Sequence, residues 1–150
     1  MRKPDSLTDP TALRLARTRK GLTQHELARL IGVAGGERVS RWELGTSEPR
    51  PDVLVRLAAV LDVETAALLT PPARGQDLRR LRTLAGLSAR QLADQAHLSL
   101  ASVQRWEAGR LQHLPPETAL VRIADAVKAT PAAVADALNQ SRRSTRDPLG

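Results

Sequence analysis

The stretch GLTQHELARLIGVAGGERVSRWELG at positions 21–45 is typical of two short helices joined by a tight turn. Thr23 and Glu26 have the spacing of a capping box, in which each side chain accepts a hydrogen bond from the other residue's backbone amide. A third helix is predicted to end near Trp42 or Leu44, where Gly45 stops it. Only three or four residues separate the second helix from the third, which predicts a helix, a turn and a helix.

The same pattern returns further along the chain, which indicates an internal repeat. LRLARTRKGLTQHELARLIGV at 13–33 aligns with LRRLRTLAGLSARQLADQAHL at 78–98. SRWELG at 40–45 aligns with QRWEAG at 104–109, and these hexads contain both tryptophans of the chain. The chain therefore carries two copies of one unit.

Each copy is predicted to be a series of short helices. In the first copy Asp9 caps a helix that begins at Pro10, a fourth helix begins at Pro51, and a fifth covers about 64–69. The second copy repeats the capping box with Ser88 and Gln91, and its last helix covers about 132–138.

The sequence thus predicts an all-α fold of two tandem five-helix domains. The first domain is assigned to residues 1–69 and the second to 77–139. Residues 70–76 contain two prolines and a glycine and are predicted to be a linker, which spans at most about 25 Å when fully extended. Residues 140–150 are polar and basic and are predicted to be a disordered tail.

The charge of the chain favours a polyanionic partner. Its 23 basic and 16 acidic residues give a formal net charge of +7, and its pI is about 11.3. Residues 1–72 carry 11 basic and 9 acidic side chains, whereas residues 73–150 carry 12 and 7, so the basic excess lies mainly in the second copy. Nucleic acid is the first candidate partner, although a basic surface that only keeps the domain soluble explains the charge equally well.

Catalytic and metal-dependent functions have little support in the sequence. Because the chain has no cysteine, disulfides, thiolate metal sites and cysteine nucleophiles are excluded. The three histidines are scattered without a second ligand at metal spacing, and there is no nucleophile elbow, phosphate loop or carboxylate pair. We therefore expect no cofactor, no metal and no enzymatic activity.

Neither export nor membrane insertion is indicated. The N-terminal MRKPDSLTDP has no apolar signal region, and no apolar run approaches the roughly 18 residues of a membrane span. We expect a cytoplasmic protein that associates with the nucleoid and makes no membrane contact.

Both copies resemble the helix-turn-helix domain of the phage Cro and CI repressors and the bacterial Xre family. The resemblance lies in GLTQHELARLIGV, VSRWELG and the proline that follows, and it covers roughly residues 10–70 and 76–139. It implies a lambda-repressor-like fold whose third helix lies in the major groove of double-stranded DNA. It also implies that Trp42 and Trp106 pack in the core. We interpret the neighbouring Glu43 and Glu107 as structural residues.

Carried over residue by residue, the resemblance gives a set of expected DNA contacts. In the second copy Ser99 caps the third helix, and Arg105 has the geometry to grip a guanine edge. The expected set in that copy is Ser88, Ser99, Leu100, Ala101, Ser102, Gln104, Arg105 and Arg110. In the first copy it is Thr23, Gln24, Arg38, Ser40 and Arg41. Arg14, Arg17, Arg79 and Arg82 on the first helices are further phosphate candidates or merely solvated side chains.

Each copy also departs from the family pattern. The first has an additional residue, with Gly35 and Gly36 where the third helix should begin, so that helix is expected to start late, near Glu37, or to form loosely. The second has Ala89 in place of the phosphate-contacting Gln24, and His97 in place of the turn glycine, which indicates a slightly different turn. Equal DNA contributions from the two copies are therefore not expected.

Two functions follow from these patterns. The first is a sequence-specific transcriptional regulator, more commonly a repressor, whose two helix-turn-helix domains read half-sites about 34 Å apart. The alternative is a protein-interaction module, such as an antitoxin-like or phage accessory protein. In that alternative the first domain docks a partner protein or a second copy of the chain, and DNA binding is secondary.

Overall fold

The computed structural model describes residues 6–73 and 75–146. These residues divide into two compact units between Pro71 and Pro72. The first unit contains α1 (Pro10–Arg19), α2 (Gln24–Ile31), α3 (Gly36–Leu44), α4 (Pro51–Leu61) and a 3-10 turn at Thr65–Leu68. The second contains α5 (Leu78–Leu84), α6 (Ala89–Gln95), α7 (Leu100–Glu107), α8 (Glu117–Val127) and α9 (Pro131–Arg146). Apart from one bridge between Thr8 and Leu69, the regular structure of the described residues is helical, which confirms the all-α prediction.

Side-chain caps fix where the helices begin. Both predicted capping boxes form: the Glu26 amide donates to Thr23 Oγ1 at 3.0 Å, and the Gln91 amide donates to Ser88 Oγ at 3.1 Å. The Thr23 amide donates in return to the Glu26 carboxylate, and this bond lowers the pKa of Glu26. The cap on α2 therefore contributes its stability above the ordinary pKa of a glutamate and loses it as the pH falls through the lowered value.

Matching positions of the repeat form the two cores. Leu27, Val39 and Leu57 are fully buried in the first unit, as are their counterparts in the second, Leu92, Val103 and Ile123. Trp42 packs into the first core with 5% of its surface exposed, whereas Trp106 is only partly buried against the second. The two units are therefore built on the same apolar contacts but cover their tryptophans to different extents.

The N-terminal segment closes the first unit in a way that the helix pattern did not predict. The Leu7 and Thr8 amides both donate to Glu48 Oε1, at 2.7 and 3.1 Å, and the Thr70 amide donates to the Leu7 carbonyl at 2.8 Å. Glu48 thus ties the chain before α1 to the loop between α3 and α4.

The two units end differently, and the prediction of a disordered tail from residue 140 is wrong as far as residue 146. The first unit ends in one 3-10 turn, whereas α9 continues to Arg146. The reason is that the buried face of α9 extends past Leu138 to Ser141, whose hydroxyl donates to the Ala137 carbonyl. Residues 147–150 of the predicted tail lie outside the described residues.

His97 occupies the same kind of turn as the glycine it replaces. Its φ is 55°, and the corresponding Gly32 has a φ of 78°. In both copies the backbone therefore turns through the left-handed region after the second helix. The expectation of a different turn is wrong in that respect, because the short connection requires a left-handed residue whichever side chain stands there. A left-handed conformation costs a residue with a Cβ roughly 1–2 kcal/mol.

Replacing His97 by glycine is therefore expected to stabilise the second unit by about 0.5–1 kcal/mol, after subtraction of the greater freedom of glycine in the unfolded chain. Urea unfolding followed by Trp106 fluorescence in a Trp42→Phe background measures this change. His97→Ala keeps the Cβ and serves as the control without a gain, and an equal gain in both variants would contradict the explanation.

Candidate nucleic-acid interface

In both units the two helices of the motif are joined by short connections that set the start of the next helix. In the first unit Gly32 ends α2 and Gly35, with φ 74°, precedes α3. In the second unit Ser99 caps α7, because its Oγ accepts from the Ser102 amide at 3.0 Å. The helices α3 and α7 are named here the reading helices.

A buried ion pair holds each reading helix against the first helix of its unit. Arg17 Nε and one terminal nitrogen donate to the two oxygens of Glu43 at 2.6 and 2.9 Å, and its other terminal nitrogen donates to the Leu22 carbonyl. Only 4% of the Glu43 side chain is exposed, and its hydrogen bond raises the pKa of Arg17. Arg82 and Glu107 repeat the pair at 2.6 and 2.9 Å.

These two ion pairs show that several charged side chains have a structural role. Glu43 and Glu107 are structural, as interpreted from the sequence. Arg17 and Arg82, considered as phosphate contacts, instead lie in these ion pairs, because their guanidinium forks match the carboxylates bidentately. Gln24 Nε2 also donates to Glu43, at 3.1 Å, so its amide is part of the same network.

A second repeated arginine supports the motif, and the sequence pattern assigned it no role. Arg56 donates to the Ile31 carbonyl at 2.7 Å, and Arg122 donates to the Ala96 carbonyl at 2.8 Å. Each arginine thus satisfies a carbonyl at the end of the helix that precedes the turn. The only signal in the sequence was that the two arginines recur at matching positions.

The second reading helix exposes a compact polar face. Ala101, Gln104 and Arg105 are exposed, Leu100 and Ser102 are half-buried, and Val103 is fully buried. Ser102 Oγ lies 2.9 Å from Ser99 Oγ and 3.4 Å from a terminal nitrogen of Arg105. Arg110, which is exposed in the following loop, donates its amide to the Arg105 carbonyl. Apart from Ser88, which caps α6, the sequence-predicted residues of this copy therefore lie on α7 and its two flanks.

The first reading helix has a mixed charge. Arg38 and Arg41 are exposed and Ser40 is half-buried. Glu37, on the same helix, lies 3.8 Å from Arg41. The hydroxyls of Thr23 and Ser88, listed among the expected DNA contacts, accept the capping hydrogen bonds of α2 and α6.

Gly36 lets α3 begin close to α2, one residue before the expected start near Glu37. A Cβ at this position would lie 3.0 Å from the His25 amide nitrogen and 3.2 Å from its Cα. Any side chain would push the backbones apart, so glycine permits a contact that its helix propensity alone argues against. Leu100 occupies the corresponding first position of α7, so the two reading helices begin differently.

Comparison with protein families agrees with this geometry. A helix-turn-helix model matches residues 13–68, and a helix-turn-helix domain model matches residues 75–138. The chain carries two helix-turn-helix domains in tandem. The first match is of the Xre/Cro-CI type, which confirms the resemblance. No curated protein and no solved structure matches the chain.

Two tandem helix-turn-helix domains indicate a DNA-binding regulator, and families of this kind are typically non-enzymatic. Within the described ranges no helix is long and apolar enough to cross a membrane. The same residues contain no group of three or more histidine, cysteine or acidic side chains able to hold a metal ion.

Proposed function

We propose that this helix-turn-helix protein is a sequence-specific transcriptional repressor that reads two operator half-sites, one with each reading helix. The observation that carries the proposal is the repeated buried ion pair, which fixes both reading helices while leaving arginines exposed on each. A helix held in this way presents its side chains to base edges without first having to be ordered. The protein would act in the cytoplasm on nucleoid DNA, without catalysis.

The second reading helix has the better composition for base contact. Arg105 and Gln104 are exposed one after the other on α7. Arginine pairs with guanine and glutamine with adenine through two hydrogen bonds each in the major groove. Ala101 and Leu100 are suited to a thymine methyl group, while Ser99, Ser102 and Arg110 suit the flanking backbone.

The first reading helix is proposed to read through Arg38, Ser40 and Arg41. Gln24 and the amides at the start of α2 are proposed to contact phosphates, as are Ser88 and the start of α6 in the other unit. Because Gln24 already donates to Glu43, any phosphate contact by its side chain would share the same amide group. Glu37 opposes DNA approach, so a weaker contribution is expected from this unit.

One observation favours protein docking as a second function of the first unit. Leu44 at the end of α3 and Leu30 on α2 are 67% and 57% exposed. Exposed leucines on the helices of the motif suit contact with a partner protein or with a second copy of the chain better than contact with phosphates. In this alternative the second unit alone binds DNA.

Selection of bound duplexes from a random pool separates the two functions. Arg105→Ala is expected to lower affinity for the selected site by about 10- to 100-fold and to relax one half of the motif, because a bidentate base contact is lost. Arg38→Ala combined with Arg41→Ala is expected to relax the other half. Arg19→Ala, which removes an exposed arginine from α1, is the control and should change neither half.

The outcomes are distinct. A two-part motif that each variant degrades on one side supports two reading heads. A motif that responds only to Arg105→Ala leaves the first unit as a docking domain, and the absence of any motif overturns the regulator.

A further inference from the structure

A cavity of about 770 Å³ lies beside the second reading helix. The loop that joins α7 to α8 forms one wall of it, and Leu98, Trp106, Leu111 and Leu114 supply its apolar surface. Its volume is in the range of sites that bind small organic molecules. Trp106, which is only partly buried in the core, contributes its side chain to this cavity.

The charged groups of the cavity have one sign. Arg105, Arg110 and Arg122 line it together with His113, and among the described residues none that lines it is acidic. Arg122 Nε donates to the Ala96 carbonyl, which holds that guanidinium at the cavity wall. Three guanidinium groups beside an apolar surface favour a ligand that has both an anionic group and a flat apolar part.

The first unit is built differently at the corresponding place. Its connection from α3 to α4 covers residues 45–50, whereas the connection from α7 to α8 covers residues 108–116. Glu48 in the shorter connection is engaged by the Leu7 and Thr8 amides, and Trp42 is 5% exposed. The cavity beside Trp106 therefore accompanies the longer loop of the second unit.

We propose that the second unit binds a small aromatic carboxylate in this cavity. Its ring packs against the Trp106 indole and its carboxylate pairs with Arg110 and Arg105. Arg105 is also the principal base-reading residue of the proposed function. If that function holds, the ligand and DNA compete for Arg105, and this consequence rests on the proposed function. The second unit is then both a reading head and the site of an effector.

Titration with 1-naphthoate, followed by NMR of the indole N–H signals, tests the binding step without DNA. The chain has two tryptophans, so there is one signal in each unit. Trp42→Phe and Trp106→Phe assign the two signals, and either variant alone suffices if the other does not fold. The Trp106 signal is expected to shift to saturation at millimolar 1-naphthoate, while the Trp42 signal stays in place.

Two comparisons make the test specific. The neutral analogue 1-naphthamide should shift the Trp106 signal at least tenfold less effectively, and Arg110→Ala should weaken 1-naphthoate binding by about tenfold. Arg50→Ala, an exposed arginine in the corresponding connection of the first unit, is the matched control and should leave binding unchanged. The absence of a Trp106 shift, an equal response to the amide, or an unaffected Arg110→Ala overturns the site.

Competition is measured separately, with the duplex selected by the wild-type protein. Release of that duplex by 1-naphthoate but not by 1-naphthamide supports the coupling. A duplex that stays bound while the Trp106 signal is saturated overturns the coupling alone. If no duplex binds at all, the proposed function fails, and the NMR result still decides whether the cavity is a binding site.

Discussion

Replacing Glu43 by alanine is expected to lower the free energy of unfolding of the first unit by about 3 kcal/mol. Glu43 accepts hydrogen bonds from Arg17 and from Gln24, and its side chain is almost completely buried. Its removal leaves the Arg17 guanidinium in a poorly solvated site without its counter-charge. Breaking a buried pair in this way costs about 3–5 kcal/mol, and the partial exposure of Arg17 places the effect at the lower end.

Urea unfolding followed by Trp42 fluorescence in a Trp106→Phe background measures the effect on the first unit alone. Glu107→Ala in a Trp42→Phe background is the corresponding experiment for the second unit and should give a similar loss. Glu64→Ala, which removes an exposed carboxylate, is the control and should change stability by less than about 0.5 kcal/mol. A loss below about 1 kcal/mol for Glu43→Ala would show that the ion pair does not hold α3.

The affinity for a duplex is expected to fall by about a thousandfold between roughly 50 and 200 mM salt. Neutralising about six phosphates releases their condensed counterions, so the logarithm of the affinity falls linearly with the logarithm of the salt concentration, with a slope near −5. The net charge of +7 and the exposed Arg38, Arg41, Arg105 and Arg110 supply the cations. Fluorescence anisotropy with a labelled duplex at several salt concentrations measures the slope.

Variants in each unit show how much that unit contributes to the slope of affinity against salt concentration. Arg110→Ala is expected to make it shallower by about one, which is the effect of one lost phosphate contact. If the first unit also binds DNA, Arg38→Ala combined with Arg41→Ala reduces the slope as well. A slope near zero would contradict the repressor proposal and favour the protein-docking function.

Local features of the fold were predictable from the sequence because they depend on residues a few positions apart. The capping boxes at Thr23 and Ser88 and the helix after Asp9 form as predicted. The repeat is also visible in the two cores, since Leu27 and Leu92 occupy matching buried positions. The end of α9 was missed because polar composition after Leu138 concealed one buried position, Ser141.

The ion pairs that hold the reading helices were less predictable, because they join residues far apart in the chain. Arg17 and Glu43 are 26 positions apart and are brought together only by the packing of α1 on α3. Amino-acid composition alone does not distinguish an ion-paired arginine such as Arg17 from an exposed one such as Arg105. The cavity beside Trp106 depends on the path of the loop between α7 and α8, which residue types alone do not specify.

The close approach at Gly36 has a consequence for the DNA site as a whole. Because α3 begins with a glycine against α2 while α7 begins with Leu100, one chain carries two unlike heads in a fixed order. Two identical heads related by symmetry read a palindrome, which is the same from either end. A site read by this chain would instead be asymmetric, with two different half-sites. Inverting the site would therefore reverse the orientation of the bound protein relative to the promoter.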